Sequence, residues 1–137
     1  MKKLFIVSIL FSALALGQKK GIPAVVQNAF SKSFPTVTKV KWEKEDGNFE
    51  AGFKENGIEK SVLLSSKGEI LETESSIMVT ELSKKITDYV AKNYPNKKIK
   101  GGAKIIDAKN KVSYEAEIKD LDLLFDEKGD FIKVSKD

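Results

Sequence analysis

The chain has 137 residues, with 24 basic and 20 acidic side chains and neither His nor Cys. That composition excludes disulfides, thiolate nucleophiles, Ser/His/Asp triads, Cys/His zinc sites and imidazole acid–base chemistry. Every basic residue is Lys, so the bidentate guanidinium forks that grip phosphate or carboxylate are absent as well.

The chain opens MKKLFIVSILFSALALGQKK, in which Lys2 and Lys3 precede an apolar run from Leu4 to Leu16. This is the charged, apolar and small-residue order of a secretory signal peptide. The run is shorter than the roughly 20 residues needed to span a bilayer core. Residues 1–17 are therefore expected to be a leader cut between Gly17 and Gln18; cuts after Ala13 or Ala15 fit the same rule. No Cys follows to carry a lipid, so the mature protein is expected to be soluble and periplasmic or secreted, without a stable membrane anchor. Losing Lys2 and Lys3 lowers the net charge from +4 to +2, so nucleic acid is not an expected partner.

Ile22, Val26, Ala29, Phe30 and Phe34 then fall at i, i+4, i+7, i+8 and i+12, a single stripe on a helix that should end before Pro35. Pro23 suits its first turn. After it the period drops to two. KVKWEKEDGNFEAGFKENGIEKSVLLSSKGEILETE reads as four strands divided by Asp46-Gly47, Asn56-Gly57 and Lys67-Gly68, and Asp-Gly and Asn-Gly are strong hairpin signals. Val40 and Trp42 share one face, as do Phe49, Ala51 and Phe53, then Val62 and Leu64.

The pattern recurs about 60 residues on. Leu82, Ile86, Tyr89, Val90 and Tyr94 form a second stripe ending before Pro95, with Thr80 the expected N-cap and Glu81 set against the helix dipole. Ala103 and Ile105 follow, then Val112, Tyr114, Ala116 and Ile118, then Leu121, Leu123 and Phe125, then Phe131. SYEAEIK repeats the phrase NFEAGFK, and the turn EKGD at 127–130 matches SKGE at 66–69. The offset widens to 65 at Tyr114 and returns to 61 at Gly129, which predicts a longer first turn and a tighter second one in the second copy. The expected fold is α+β: one domain, 18–137, made of two tandem repeats, about 21–77 and 80–137. Each repeat is a helix plus a four-stranded antiparallel sheet, with the helices on one face. Units this small are marginal alone and are expected to share a core or join sheet edges.

FSKSFPTVTKVKWEKEDGNFEAGF, YVAKNYPNKKI, SYEAEI and LLFDEKGDFIK together resemble the PepSY-like proteins with a β-lactamase-inhibitor-protein-like fold, over nearly the whole mature chain. The resemblance implies a small exported bacterial domain of tandem helix-plus-sheet repeats and, by analogy of shape, an inhibitor-like role; shape does not fix activity.

Candidate sites are few. If the helices cover the aromatic face, the other face shows Lys41, Glu43, Glu50, Lys54, Glu115, Glu117 and Lys119, with Leu63 and Leu124 as its apolar members at equivalent places. Those two leucines are the candidate partner-binding residues, either as a paired patch or as sheet edges under a loop. No catalytic residue is assigned: Glu43, Glu45, Asp46, Glu50, Glu115, Glu117, Asp122 and Asp126 read as solvated carboxylates on strands and turns, not as the cleft pair that glycoside hydrolysis needs. No metal or cofactor is expected either, because neither DEKGD nor EKEDGN supplies an EF-hand ligand ladder. Trp42, Tyr89 and Tyr94 are expected in the core, and Lys97, Lys98 and Lys100 on a solubilising surface. The chain is thus expected to be no enzyme but an exported binding or inhibitor-like module that engages a protein or peptide partner in the cell envelope through a sheet face or edge. The alternative is a binder of a small ligand or cell-wall polymer in a crevice between repeats.

Overall fold

The computed structural model describes residues 21–136, so the leader expected at 1–17 lies outside the described residues. Among the described residues the fold is α+β, with two α-helices and eight strands in antiparallel pairing. Two compact units meet in sequence at Ser75 and Ser76, within one strand. No described helix is long and apolar enough to cross a membrane.

The first unit holds α1 (Ala24–Ser33) and β1 (Lys41–Glu45), β2 (Asn48–Glu55), β3 (Ile58–Leu64) and most of β4 (Ile70–Ile77). Helix α1 buries Val26 and Phe30 and leaves its other face wet. It ends where Phe34 donates its N–H to the Phe30 carbonyl, just ahead of Pro35. Pro23 occupies the N-cap position outside the first turn, so Ile22 joins the core without being helical. Registers Trp42↔Ala51↔Val62 and Phe49↔Leu64 put the apolar alternation under the helix. Phe30 meets Trp42 and Phe53 edge-on at 5.5 and 5.2 Å, and Phe34 lies 4.9 Å from Phe53. Trp42 is core, as its strand phase predicts. Asp46, Gly47, Asn56 and Gly57 all take positive φ, the type I′ geometry expected of both two-residue turns.

The second unit holds α2 (Lys84–Asn93) with most of β5 (Gly101–Asp107), and β6 (Val112–Ile118), β7 (Leu121–Asp126) and β8 (Phe131–Lys136). Its core joins Leu82, Ile86 and Val90 to Ala116, Ile118, Leu123 and Phe125, with Tyr89, Tyr94 and Tyr114 packed against it. The N-cap is Ser83, not Thr80: the Ser83 hydroxyl accepts from the Ile86 N–H. Thr80 lies instead in a 3-10 turn, Val79–Glu81, where the Glu81 carboxylate accepts from the Met78 N–H at 2.6 Å. Leu82 is buried one residue before the cap, so its stripe marked burial and not the start of the helix. Replacing Ser83 by alanine is expected to cost about 1 kcal/mol of stability by urea denaturation, while Thr80→Ala should be close to neutral.

Each unit closes its last hairpin in the same way. Gly68 donates to the Ser65 carbonyl and Gly129 to the Asp126 carbonyl, both at 2.9 Å. The Ser65 hydroxyl accepts from Lys67 and Glu69, and the Asp126 carboxylate from Lys128 and Asp130. Gly68 has φ +84, and a Cβ there would sit 3.0 Å from the Val25 carbonyl oxygen of α1, so the turn needs glycine for conformation and for space.

Two expectations about the second unit are corrected. Its first loop is longer, residues 108–111, but its second turn is no tighter: both units use two residues. The arms shorten instead, running from Tyr114 to Ile118 where the first unit runs from Phe49 to Glu55. Ala103 and Ile105 also fall on the face away from the helix, opposite Glu115 and Ser113. The helix side of β5 shows Gly102 and Lys104, and a Cβ on Gly102 would come within 3.3 Å of Leu82.

Candidate binding surfaces

In the first unit the sheet face away from α1 carries two rows that run across all four strands. One is Glu43↔Glu50↔Leu63↔Glu72 and the other Lys41↔Gly52↔Ser61↔Glu74. The type I′ turn at Asp46-Gly47 sets this register, forcing Glu43 directly opposite Glu50. Like charges so placed repel unless one is neutralised.

Glu50 is only 8% exposed. Burial, then the charges of Glu45 and Glu43, a hydrogen bond with Glu45 and the charge of Glu72 push its carboxyl up to about 8. Burial also raises Glu45, against the lowering effect of its hydrogen bond with Glu50. At neutral pH Glu50 therefore keeps its proton and donates it to the Glu45 carboxylate. The Lys41 ammonium reaches Glu43 at 2.9 Å.

In the second unit the matching row is Ala103↔Glu115↔Leu124↔Lys133, flanked by Ile105↔Ser113 and Glu117↔Asp122↔Ser135. Glu115, Asp122 and Ser113 are buried, together with Ala103, Ile105 and Leu124. The expectation of a solvated carboxylate lawn is thus corrected for Glu50, Glu115 and Asp122. Alternation states which face a side chain takes, not how deeply it lies.

Leu63 and Leu124 do occupy equivalent registers, each opposite a Glu of the preceding strand. Leu63 is half-buried and Leu124 fully buried. Neither lies on an edge strand: β3 pairs with β2 and β4, and β7 with β6 and β8.

The edges differ in chemistry. Strand β1, KWEKE, alternates both signs of charge along its length. Strand β8, FIKVSK, has no acidic residue and leaves Phe131, Ile132 and Val134 exposed. Among the described residues, β1 pairs only with β2 and β8 only with β7. Sequence reasoning placed Phe131 but passed over Ile132 and Val134. The signal was Phe131 beside Ile132, two adjacent apolar residues that break the period of two; the β7/β8 register slips there, between Leu124 and Phe125.

Among the described residues no group of three or more acidic side chains is placed to hold a metal ion. The acidic turn at 126–130 spends its oxygens on itself: Asp126 caps two backbone N–H groups, and Asp130 is paired with the Lys85 ammonium.

Two antiparallel units, each with one helix on one sheet face and buried carboxylates on the other, define an α+β sheet module. The sequence matches the family described as "Putative beta-lactamase-inhibitor-like, PepSY-like" over residues 14–72 and again over 50–133. The chain belongs to that family. Among solved structures it is similar to one described as a putative periplasmic protein from Bacteroides eggerthii, at 16% identity and a TM-score of 0.72, covering 83% of this chain and 88% of that one. A DUF2874 family protein from Bacteroides ovatus aligns at 21% identity and a TM-score of 0.71, over 85% and 89% of the two chains. A BLIP-like protein from Bacteroides fragilis aligns at 20% and 0.65, over 83% and 85%. At these identities the likeness is one of fold. No curated protein matches the chain.

Proposed function

We propose that this chain is an exported, noncatalytic binding or inhibitor-like module that engages a protein or peptide partner through a sheet face or edge. Membership in a family described as β-lactamase-inhibitor-like carries this reading. The solved structure from Bacteroides eggerthii, described as periplasmic, supports a periplasmic or secreted location, in line with a leader at 1–17. The mature chain, 18–137, is read as one domain of two repeats, about 21–77 and 80–137. The matched hairpin turns and the shared Leu63–Glu50 and Leu124–Glu115 registers favour that duplication.

On the first unit's face Leu63 is the contact residue; Leu124 holds the equivalent register of the second unit, where it is buried. A Leu63→Lys variant should keep the fold, because the new ammonium lies across from Glu72. In capture from a periplasmic extract it is expected to lose the partners held by the unaltered protein. Identical captured sets would remove the face from the proposal and leave the edges.

A further inference from the structure

We propose that β1 is a latch governed by pH: one proton held between Glu45 and Glu50 keeps this edge strand shut, and its loss lets β1 open while the rest of the first unit stays folded. The latch belongs to the first unit alone and does not depend on the binding reading above. Register supplies the geometry. The Asp46-Gly47 turn sets Glu43 directly opposite Glu50, and Glu45 joins Glu50 through a hydrogen bond between their carboxyl groups. Ionised carboxylates only accept hydrogen bonds, so this one exists only while one of the two carries a proton. Glu50 has little water to carry the charge instead, being 8% exposed.

Every strand of the first unit bears on that proton. From β1 come Glu43, Glu45 and one cation, Lys41, whose ammonium pairs with Glu43 at 2.9 Å. Asp46 lies in the turn and acts on Glu45. From β4 come Glu72, in the same row, and Glu74 in the next. Between them β3 places the uncharged Leu63 and Ser61, and its Glu59 faces Lys54 of β2 at 3.9 Å. Carboxylates outnumber cations here, so departure of the proton leaves Glu43, Glu45 and Glu50 charged side by side on one hairpin. The strand that yields is β1. Among the described residues it pairs only with β2, and of its five residues Trp42 alone is buried. By contrast β2 is held on both sides and buries Ala51 and Phe53. Opening withdraws Trp42 from Phe30 and turns the outer side of β2 into the edge.

Amide hydrogen exchange, followed by NMR in the unaltered protein, in Glu50→Gln and in Asp88→Asn, tests the latch. Opening returns Glu50 to water and to its ordinary value of 4.5, so it releases a proton and is favoured as pH rises. After correction for the intrinsic rate, protection of the β1 amides is expected to fall about tenfold per pH unit from 4.5 to about 8 and then to level off. At every pH those amides should be at least about tenfold less protected than the amides of β3. Their exchange should also respond less to urea, because a local opening exposes less surface than unfolding of the unit. Glu50→Gln should flatten the β1 profile; Asp88→Asn, which removes an exposed carboxylate from α2, should leave it unchanged. Equal protection and equal urea response in β1 and β3 would mean that the strand opens only with the whole unit, and would overturn the proposal. So would a β1 profile indifferent to pH, or one that survives Glu50→Gln. Should that variant fail to fold, the pH slope of β1 and its comparison with β3 in the unaltered protein still decide.

Discussion

Phe53→Ala is expected to remove about 3–5 kcal/mol of unfolding free energy, the range for truncating a buried phenylalanine. Phe53 is fully buried at the centre of the first unit's aromatic cluster. Its ring is shared between Phe30 inside α1 and Phe34 at the C-cap, so one truncation withdraws contacts from both the body and the end of the helix. The site cannot collapse easily, because Val62 and Leu64 come from a strand paired on both sides. Against a typical total of about 5–15 kcal/mol, such a loss leaves the unit near its threshold. Urea denaturation followed by Trp42 emission measures it. A loss below about 1 kcal/mol would mean that the cluster is not the seat of α1.

Glu50→Gln is expected to change how stability depends on pH, and its direction is opposite to that of a salt-bridged carboxylate. Glu50 rises from 4.5 to about 8 on folding. Between those values the folded chain holds a proton that the unfolded chain has released. Stability from this group is therefore fully present below pH 4.5 and is lost as pH climbs through about 8. The slope approaches about 1.4 kcal/mol per pH unit when a single group dominates. Glu45, also raised, adds to the same trend. Glutamine is neutral at every pH and can still donate to Glu45, so the variant should be nearly flat across this window and more stable than the unaltered protein at its alkaline end. Urea midpoints of both proteins across the window provide the check; stability that rises with pH in the unaltered protein would contradict the buried, protonated Glu50.

The helices, their ends before Pro35 and Pro95, the type I′ turns and the aromatic face were all legible in the sequence, because each rests on local chemistry: a period of 3.6 or 2, a residue that tolerates positive φ, a proline that cannot continue a helix. What was missed depends on neighbours distant in sequence. Periodicity marks Leu82 and Ile22 as buried but does not tell a helical residue from one just before the cap, so the stripe points to Thr80 where the structure caps with Ser83. The phase of β5 is not legible because its helix-side positions are Gly102 and Lys104, not large apolar residues, and the loop at 108–111 breaks the offset between the repeats. The Glu43–Glu50 clash, by contrast, could have been read from the Asp46-Gly47 turn, since a two-residue hairpin fixes which residues face each other. The depth of Glu50, Glu115 and Asp122 could not, because burial on the far face of each unit depends on residues distant in sequence.

The sole indole sits in one core, while all three phenols, at positions 89, 94 and 114, belong to the other. Nature has thereby given each half its own intrinsic dye. Emission from the two chromophores, recorded during a single melt, reports whether the halves come apart together or in turn, without attaching any label.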